Sequence, residues 1–211
     1  MGVAIVTGKI GGDWMRVHGI AGLRIAGLLV FRLVWAFIGS TYARFSSFVP
    51  TLSDVRRYVQ GRWRGAGHNP LGTLSVLALL GLLALQVGTG LFSNDDIAFS
   101  GPWASVVSDS LSAWLTGWHK RIANGLLVLI GLHLIAIGFY AWFKQENLVK
   151  PMVTGDKHLA CGEPTRRGGR LSLAIALMAV LAAAYLASGT ALPQAPPAAA
   201  PVAGQKASPG W

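Results

Sequence analysis

Four long apolar runs constrain this chain more than any other feature of its sequence. They cover residues 19–39, 71–92, 119–143 and 171–188, and each is long enough, or nearly so, to cross a hydrocarbon core about 30 Å thick. Apolar residues make up 53% of the 211 residues and charged residues only 12%, unlike an ordinary soluble domain. Because lipid offers no partner to free backbone groups, and because the runs lack the alternation of barrel strands, the sequence predicts an all-α, four-helix transmembrane bundle.

The charges between these runs predict how the bundle lies in the membrane. Residues 40–70 carry five arginines and one aspartate, and residues 144–170 carry six basic and three acidic residues. Residues 93–118 carry three aspartates and neither lysine nor arginine. Because loops rich in lysine and arginine stay cytoplasmic, the first and third helices are expected to run inward, with both chain ends outside. We interpret the net charge of +10 as this bias, with some attraction to anionic lipid, and not as a nucleic-acid-binding surface.

The ends of the chain are predicted to lie outside the bundle. Residues 1–18 form an outer-side stub that is too short to span and lacks the basic start and cleavage site of a signal peptide. Residues 19–188 form the membrane domain, and residues 189–211, rich in proline and alanine, are expected to be a disordered tail. The single cysteine, Cys161, excludes an intrachain disulfide, a C-x-x-C-H haem attachment and a cysteine-ligated iron–sulfur cluster within this chain.

Three histidines lie in the apolar runs or at their ends, where ionisable side chains are rare. His119 and His133 are fourteen residues apart, so they share one face of the third helix and are separated by about 21 Å along its axis. Since the first and third helices run in the same direction, His18 is expected at the depth of His119, which gives one facing pair and one single ring. An ionisable ring in the middle of a membrane span, as at His133, indicates a functional residue. The alternative is a neutral imidazole that is held by a hydrogen bond and has no functional role.

A facing pair of histidines restricts the cofactor that such a bundle can hold. Zinc needs three or four ligands close together, and a proton relay needs carboxylates, which the four runs lack. A haem fits better, because its iron takes one imidazole from each of two facing helices. The small residues near the ligands, Gly22, Ala123 and Gly125, would make room for the flat macrocycle, although close packing of membrane helices explains them equally well.

Cationic side chains near the histidines each have two interpretations. Arg32 is fourteen residues after His18, which puts it on the same helix face but deeper in the membrane. Its guanidinium could pair with a haem propionate or reach out to the cytoplasmic headgroups. Lys120 and Arg121, beside His119, could pair with the propionates of an outer haem or simply flank the helix end.

Five segments of the chain, taken together, resemble a known family. They read "LLVFRLVWAFIGSTYARFSSFV", "GHNPLG", "TGLFSNDDIAFSGPWA", "WHKRIANGLLVLIGLH" and "ENLVKPMVTGDK". Over about residues 15–157 the chain is similar to the bacterial cytochrome b561 and nickel-iron hydrogenase b-type cytochrome family. The resemblance implies a di-haem cytochrome of the bacterial cytoplasmic (inner) membrane, with bis-histidine ligation, that passes electrons between the quinone pool and a partner protein.

The resemblance also implies roles for individual histidines. On matching positions, His18 and His119 hold an outer haem b, and His133 is one ligand of an inner haem. His68, in "GHNPLG", is expected to cap a loop, and His158 lies in a polar loop. Relatives begin with a further transmembrane helix whose early histidine completes the inner site, and that helix is missing here. Either the start of the chain is placed too late, or the protein has one complete haem site and a second half-site.

These features predict a membrane electron carrier, and they leave open whether it is an enzyme by itself. Quinone or quinol is the expected redox partner in the lipid, and a c-type cytochrome or a hydrogenase or dehydrogenase subunit is the expected protein partner. A haem-free membrane anchor of such a redox complex is the alternative function, and a small-solute transporter is the third. An anchor has no use for His18 facing His119, and a transporter more typically shows paired, broken helices.

Overall fold

The computed structural model describes residues 1–63, 70–97, 99–145 and 168–192. Within them lie seven α-helices: α1 Gly2–Ile10, α2 Met15–Ile38, α3 Phe45–Phe48, α4 Leu52–Val59, α5 Pro70–Leu91, α6 Asp109–Trp142 and α7 Arg170–Ala187. Short 3-10 helices cover Gly12–Trp14, Thr41–Ala43 and Ala104–Val106. His68, His158, Cys161 and the predicted tail from residue 193 onward lie outside the described residues.

Four of these helices are long and apolar enough to cross a membrane. The segments are Gly12–Ile38, which includes α2, and α5, α6 and α7. The prediction of an all-α bundle with four membrane-spanning helices is therefore confirmed, and the chain is a multi-pass membrane protein. Many large apolar side chains of the spans point outward, and Leu28 and Ile135 are 70% and 69% exposed. In a membrane these side chains face lipid, so their exposure carries no cost.

The third spanning helix is longer than hydropathy predicts. α6 begins at residue 109 and not at the predicted residue 119. Ser108 caps it by accepting a hydrogen bond from the backbone N–H of Leu111, and Asp109 places a negative charge in the first turn. Hydropathy marks only the part of a helix that lies in lipid, whereas the cap decides where the helix starts.

The first eighteen residues, predicted as a stub, fold as α1 and the start of α2. Gly11 and Gly12 join the two helices with φ angles of 73° and 56°, a conformation that glycine adopts without steric cost. The chain turns back at this point, and α1 packs against α2. Thr7 is only 4% exposed in α1, and its hydroxyl donates to the carbonyl of Val3. The polar group in this contact is therefore satisfied within its own helix.

α2 is the central helix of the bundle. It contacts α1, α5 and α7, and α5 in turn packs against α6. Small residues allow the close contact with α7: Ala26 and Ala176 are buried, and a Cβ atom on Gly27 would lie 3.3 Å from Cγ1 of Val180. Without a hydrophobic driving force between helices in lipid, such close backbone approach is what holds membrane helices together.

The loop between α5 and α6 closes one end of the bundle. The Asp95 carboxylate accepts hydrogen bonds from the backbone N–H groups of Ile97 and Phe99, at 3.1 and 2.8 Å. This turn directs the Phe99 ring onto α2, where a Cβ atom on Gly19 would lie 2.9 Å from it. The indole of Trp103 donates to the carbonyl of Leu186 at the end of α7. The loop therefore joins helices that are distant in sequence.

We predict that the loop that contains Gln60 is cytoplasmic and the loop that contains Ile97 is outside, because only the first is rich in arginine. In a chain whose Cys161 is replaced by Ser, Gln60→Cys should react with a membrane-impermeant maleimide only after the cells are opened. Ile97→Cys, at a position that is 93% exposed, should react in intact cells. Reaction of Gln60→Cys in intact cells would contradict this orientation.

Candidate functional site

His18 and His119 lie together at the end of the bundle closed by the α5–α6 loop. Their ring centres are 6.0 Å apart, and their ring planes make an angle of 81°. A bond between a metal ion and an imidazole nitrogen is about 2 Å long, so two rings that ligate one ion from opposite sides have their centres about 6 Å apart. The observed separation of the two rings suits ligation of a single iron.

Each of the two histidines is oriented by a backbone carbonyl of a neighbouring helix. Nδ1 of His18 lies 2.8 Å from the carbonyl oxygen of Ala4 in α1. Nδ1 of His119 lies 2.9 Å from the carbonyl oxygen of Gln86 in α5. A carbonyl only accepts hydrogen bonds, so Nδ1 carries the proton in both rings and Nε2 keeps its lone pair. Histidines that ligate metals are usually held in this way, which fixes the tautomer and the direction of the ring.

The side chain of Gln86 makes a second contact with His119. Its amide nitrogen lies 2.9 Å from Nε2 of His119, and since an amide N–H₂ group only donates, it donates to the lone pair of that nitrogen. The carbonyl oxygen of the same side chain is buried and has no hydrogen-bond partner among the described residues. An unsatisfied buried acceptor costs about 1–3 kcal/mol. A rotation of the Gln86 side chain would break its hydrogen bond to Nε2 of His119.

Two glycines allow the rings to lie directly against neighbouring helices. A Cβ atom on Gly8 would be 2.8 Å from Nδ1 of His18, and one on Gly90 would be 2.8 Å from Cε1 of His119. Side chains at these positions would collide with the rings, so the absence of a Cβ is a requirement of the site. Gly22 and Gly125 differ, because a Cβ there would meet none of the described atoms within 4 Å. Gly22 is partly buried and Gly125 is exposed, so the described contacts give neither glycine a close-packing role.

His133 lies apart from this pair. Its Nδ1 is 3.0 Å from the hydroxyl oxygen of Ser75 in α5. The structure describes three of the chain's five histidines, His18, His119 and His133. Of these three, His18 and His119 contact each other. No group of three or more His, Cys, Asp and Glu residues that could hold a metal ion lies within the described ranges. Among the described residues, His18 and His119 thus bring two imidazoles together, as a haem with two histidine ligands requires, and His133 has no second histidine beside it.

The arginines near the histidines make contacts within the protein. Nη1 of Arg32 donates to the carbonyl oxygen of Ala43, 3.2 Å away and beyond the end of α2. The Arg32 side chain therefore extends toward the end of its helix, and neither a propionate nor a headgroup contact is decided by this hydrogen bond. The guanidinium of Arg121 lies 5.3 Å from the ring centre of Trp118, in a cation–π contact on the surface of α6.

Several residues that position the histidines were not predicted from the sequence. They are Ala4, Gly8, Ser75, Gln86 and Gly90. One signal for α5 was present, because Ser75 and Gln86 are eleven residues apart and return to one helix face within about 20°. Two polar residues on one face of an apolar helix match the two histidines on one face of α6. No comparable pattern marks the backbone carbonyl of Ala4.

Comparison with known proteins gives two matches for this chain. The family model described as prokaryotic cytochrome b561 matches residues 2–155. The probable Ni/Fe-hydrogenase B-type cytochrome subunit of Rhizobium leguminosarum bv. viciae is 25% identical over 161 residues, which cover 67% of this chain and 67% of that protein. No solved structure matches significantly. The family match includes the three described histidines and ends before α7.

We predict that Gly90→Ala weakens haem retention by about tenfold or more, because the added methyl group must displace the His119 ring. Gly88→Ala is the matched control on the same helix, since a Cβ there would meet none of the described atoms within 4 Å. That control should retain haem and gain up to about 1 kcal/mol from helix propensity. The haem-to-protein ratio and the unfolding temperature of both variants measure this, and equal haem content would contradict a close contact at Gly90.

Proposed function

The chain belongs to the prokaryotic cytochrome b561 family, and from this premise we propose that His18 and His119 hold one haem b for membrane electron transfer. The observation that carries the proposal is the pair of imidazoles, with ring centres 6.0 Å apart and Nδ1 of each ring bound to a backbone carbonyl. Among the described residues, this is the only pair of histidines whose rings contact each other, and ligation of an iron by His119 would replace the hydrogen bond between its Nε2 and the Gln86 side chain.

Haem b, when bound, supplies a one-electron redox centre whose iron takes two axial nitrogen ligands without covalent attachment. The protein's part is to hold the two ligands still. The carbonyls of Ala4 and Gln86 fix the rings and make each Nε2 more basic. Ligands held in one geometry in both oxidation states need little rearrangement when an electron arrives or leaves.

His18 and His119 are both partly buried, and apolar residues lie near them. Leu126, two turns after His119 in α6, is 2% exposed. On the aqueous side, the α5–α6 loop lays Phe99 against Gly19, the residue next to His18. An apolar, closed environment is one of the features by which a protein sets the potential of a haem.

The proposal extends to the redox partners of this chain. We take quinone or quinol in the lipid as one redox partner, because the exposed apolar surface of α6 is open to lipophilic molecules. The similar protein from Rhizobium leguminosarum bv. viciae is named as a hydrogenase subunit, so a membrane-bound redox complex is the proposed protein partner, with a c-type cytochrome as the second choice. The corresponding location is the bacterial inner membrane.

A haem-free membrane anchor is the second candidate function. One observation favours it: both ring nitrogens of His119 have hydrogen-bond partners in the protein, through the backbone and the side chain of Gln86. In an anchor, the histidines would serve only to join α5 and α6. The two candidates therefore differ in whether the purified chain contains haem.

We predict that the full chain, extracted and purified in mild detergent, contains about one non-covalent haem b with a six-coordinate, low-spin spectrum. His18→Ala and His119→Ala should each remove it, because one axial ligand is lost. His133→Ala, the same change at the single ring, should leave the haem content unchanged. Absorption spectra before and after dithionite reduction, with the haem-to-protein ratio, test this.

Three results would overturn the assignment. Absence of haem from carefully extracted protein would favour the anchor. A ratio near two would mean that another histidine or a neighbouring subunit completes a site at His133. Loss of haem in His133→Ala, with retention of haem in His18→Ala, would place the haem at His133 and not at His18 and His119.

A further inference from the structure

α4 is a short helix with one apolar and one basic face. At about 100° per residue, Leu52, Val55 and Val59 return to one face, Arg57 lies on the opposite side, and Arg56 lies at the border of the apolar face. Leu52 and Val59 are 87% and 73% exposed, so the protein covers little of this apolar face. Helices with this division, basic on one side and apolar on the other, lie in the plane of a membrane interface.

The arginines of α4 border a cavity of about 470 Å³ that is open to the surface, and all of its described lining residues are exposed. Its described lining consists of Ser53, Arg56, Arg57, Gln60 and Arg62. The guanidinium of Arg62 donates to the side-chain oxygen of Gln60, which holds it against the end of the helix. Each of these lining residues is neutral or cationic. The cavity therefore combines three guanidinium groups with hydroxyl and amide donors, a set suited to phosphate oxygens.

Asp54, the carboxylate of α4, makes its hydrogen bonds at the start of the helix. It accepts hydrogen bonds from the hydroxyl and the backbone N–H of Thr51, at 2.6 and 3.0 Å, in a capping box at the start of α4. These hydrogen bonds from Thr51 lower the pKa of Asp54, so its charge is present at neutral pH and offsets one of the three arginine charges. The cavity keeps a net positive charge.

The aromatic residues around α4 are of the types that collect at a membrane boundary. The hydroxyl of Tyr58 in α4 is hydrogen-bonded to that of Tyr140 in the last turn of α6. The Trp63 ring lies 6.1 Å from that of Tyr58. Trp142 and Phe143, at the end of α6, are 80% and 76% exposed. Tryptophan and tyrosine collect at the headgroup level of membrane proteins, and this end of the bundle carries the arginine-rich connection that the charge pattern places on the cytoplasmic side.

We propose that the basic cavity beside α4 binds the headgroup phosphate of an anionic phospholipid. Arg56, Arg57 and Arg62 would bind the phosphate oxygens, and the exposed Leu52 and Val59 would lie against the acyl chains. The charge of the cavity matches an anionic headgroup, and the exposed apolar face beside it matches lipid and not a water-soluble anion. The site lies in the segment between α2 and α5, at the end of the bundle away from His18 and His119. It is therefore independent of the haem assignment.

The test uses the full chain in non-ionic detergent and measures its unfolding temperature as solubilised phosphatidylglycerol or phosphatidylcholine is added. Phosphatidylglycerol should raise the unfolding temperature, and phosphatidylcholine should not. Arg56→Gln/Arg57→Gln should weaken the apparent affinity for phosphatidylglycerol about 30-fold, the effect of removing two cations from a membrane surface. Lys9→Gln/Arg16→Gln removes two exposed charges from the other end of the bundle and should respond as the unchanged protein does.

Other results would overturn the proposal. If both double variants respond to phosphatidylglycerol alike, the interaction depends on total charge and not on this cavity. If inorganic phosphate at the same phosphorus concentration gives the same shift, the ligand is a free anion, and if polyglutamate does, it is an acidic protein. Arg56→Lys/Arg57→Lys serves as a second variant, because it keeps both charges and should lose less affinity than the glutamine pair.

Discussion

The hydrogen bond between a histidine Nδ1 and a backbone carbonyl of a neighbouring helix is the interaction on which the site depends. It occurs twice, from His18 to Ala4 and from His119 to Gln86. Each bond joins two helices and fixes one ring, so that α1 orients a residue of α2 and α5 orients a residue of α6. In a membrane, where apolar contact between helices gains little over contact with lipid, such polar links also help to define the packing.

The glycines and the loop follow from that constraint. A ring can reach a neighbouring backbone only where no side chain intervenes, and Gly8 and Gly90 provide those two positions. The α5–α6 loop closes this end of the bundle. The opposite end is built differently, with arginines and exposed aromatic rings that suit a lipid surface, so the two ends of one bundle have separate tasks.

The lengths of the apolar runs and the charges between them were enough to predict the all-α bundle and the equal depth of His18 and His119, because the charges give the first and third spanning helices the same direction. They could not predict Gly8, Gly90 or the Gln86 contact, because these depend on how neighbouring helices are rotated about their axes. The start of α6 at residue 109 was not predicted, because a serine cap sets the start of this helix and hydropathy does not. Arg32 shows a further limit: spacing put it on the histidine face, yet its long side chain reaches the carbonyl of Ala43.

The most direct measurement of the central claim is electron–nuclear double resonance on the oxidised haem of the full chain, prepared with ¹⁵N-labelled histidine. Two rings that ligate one iron from opposite sides give hyperfine coupling to two imidazole nitrogens, and we expect both couplings in the unchanged protein and in His133→Ala. Coupling to a single histidine nitrogen in the unchanged protein, or loss of one coupling in His133→Ala, would contradict ligation by His18 and His119 together.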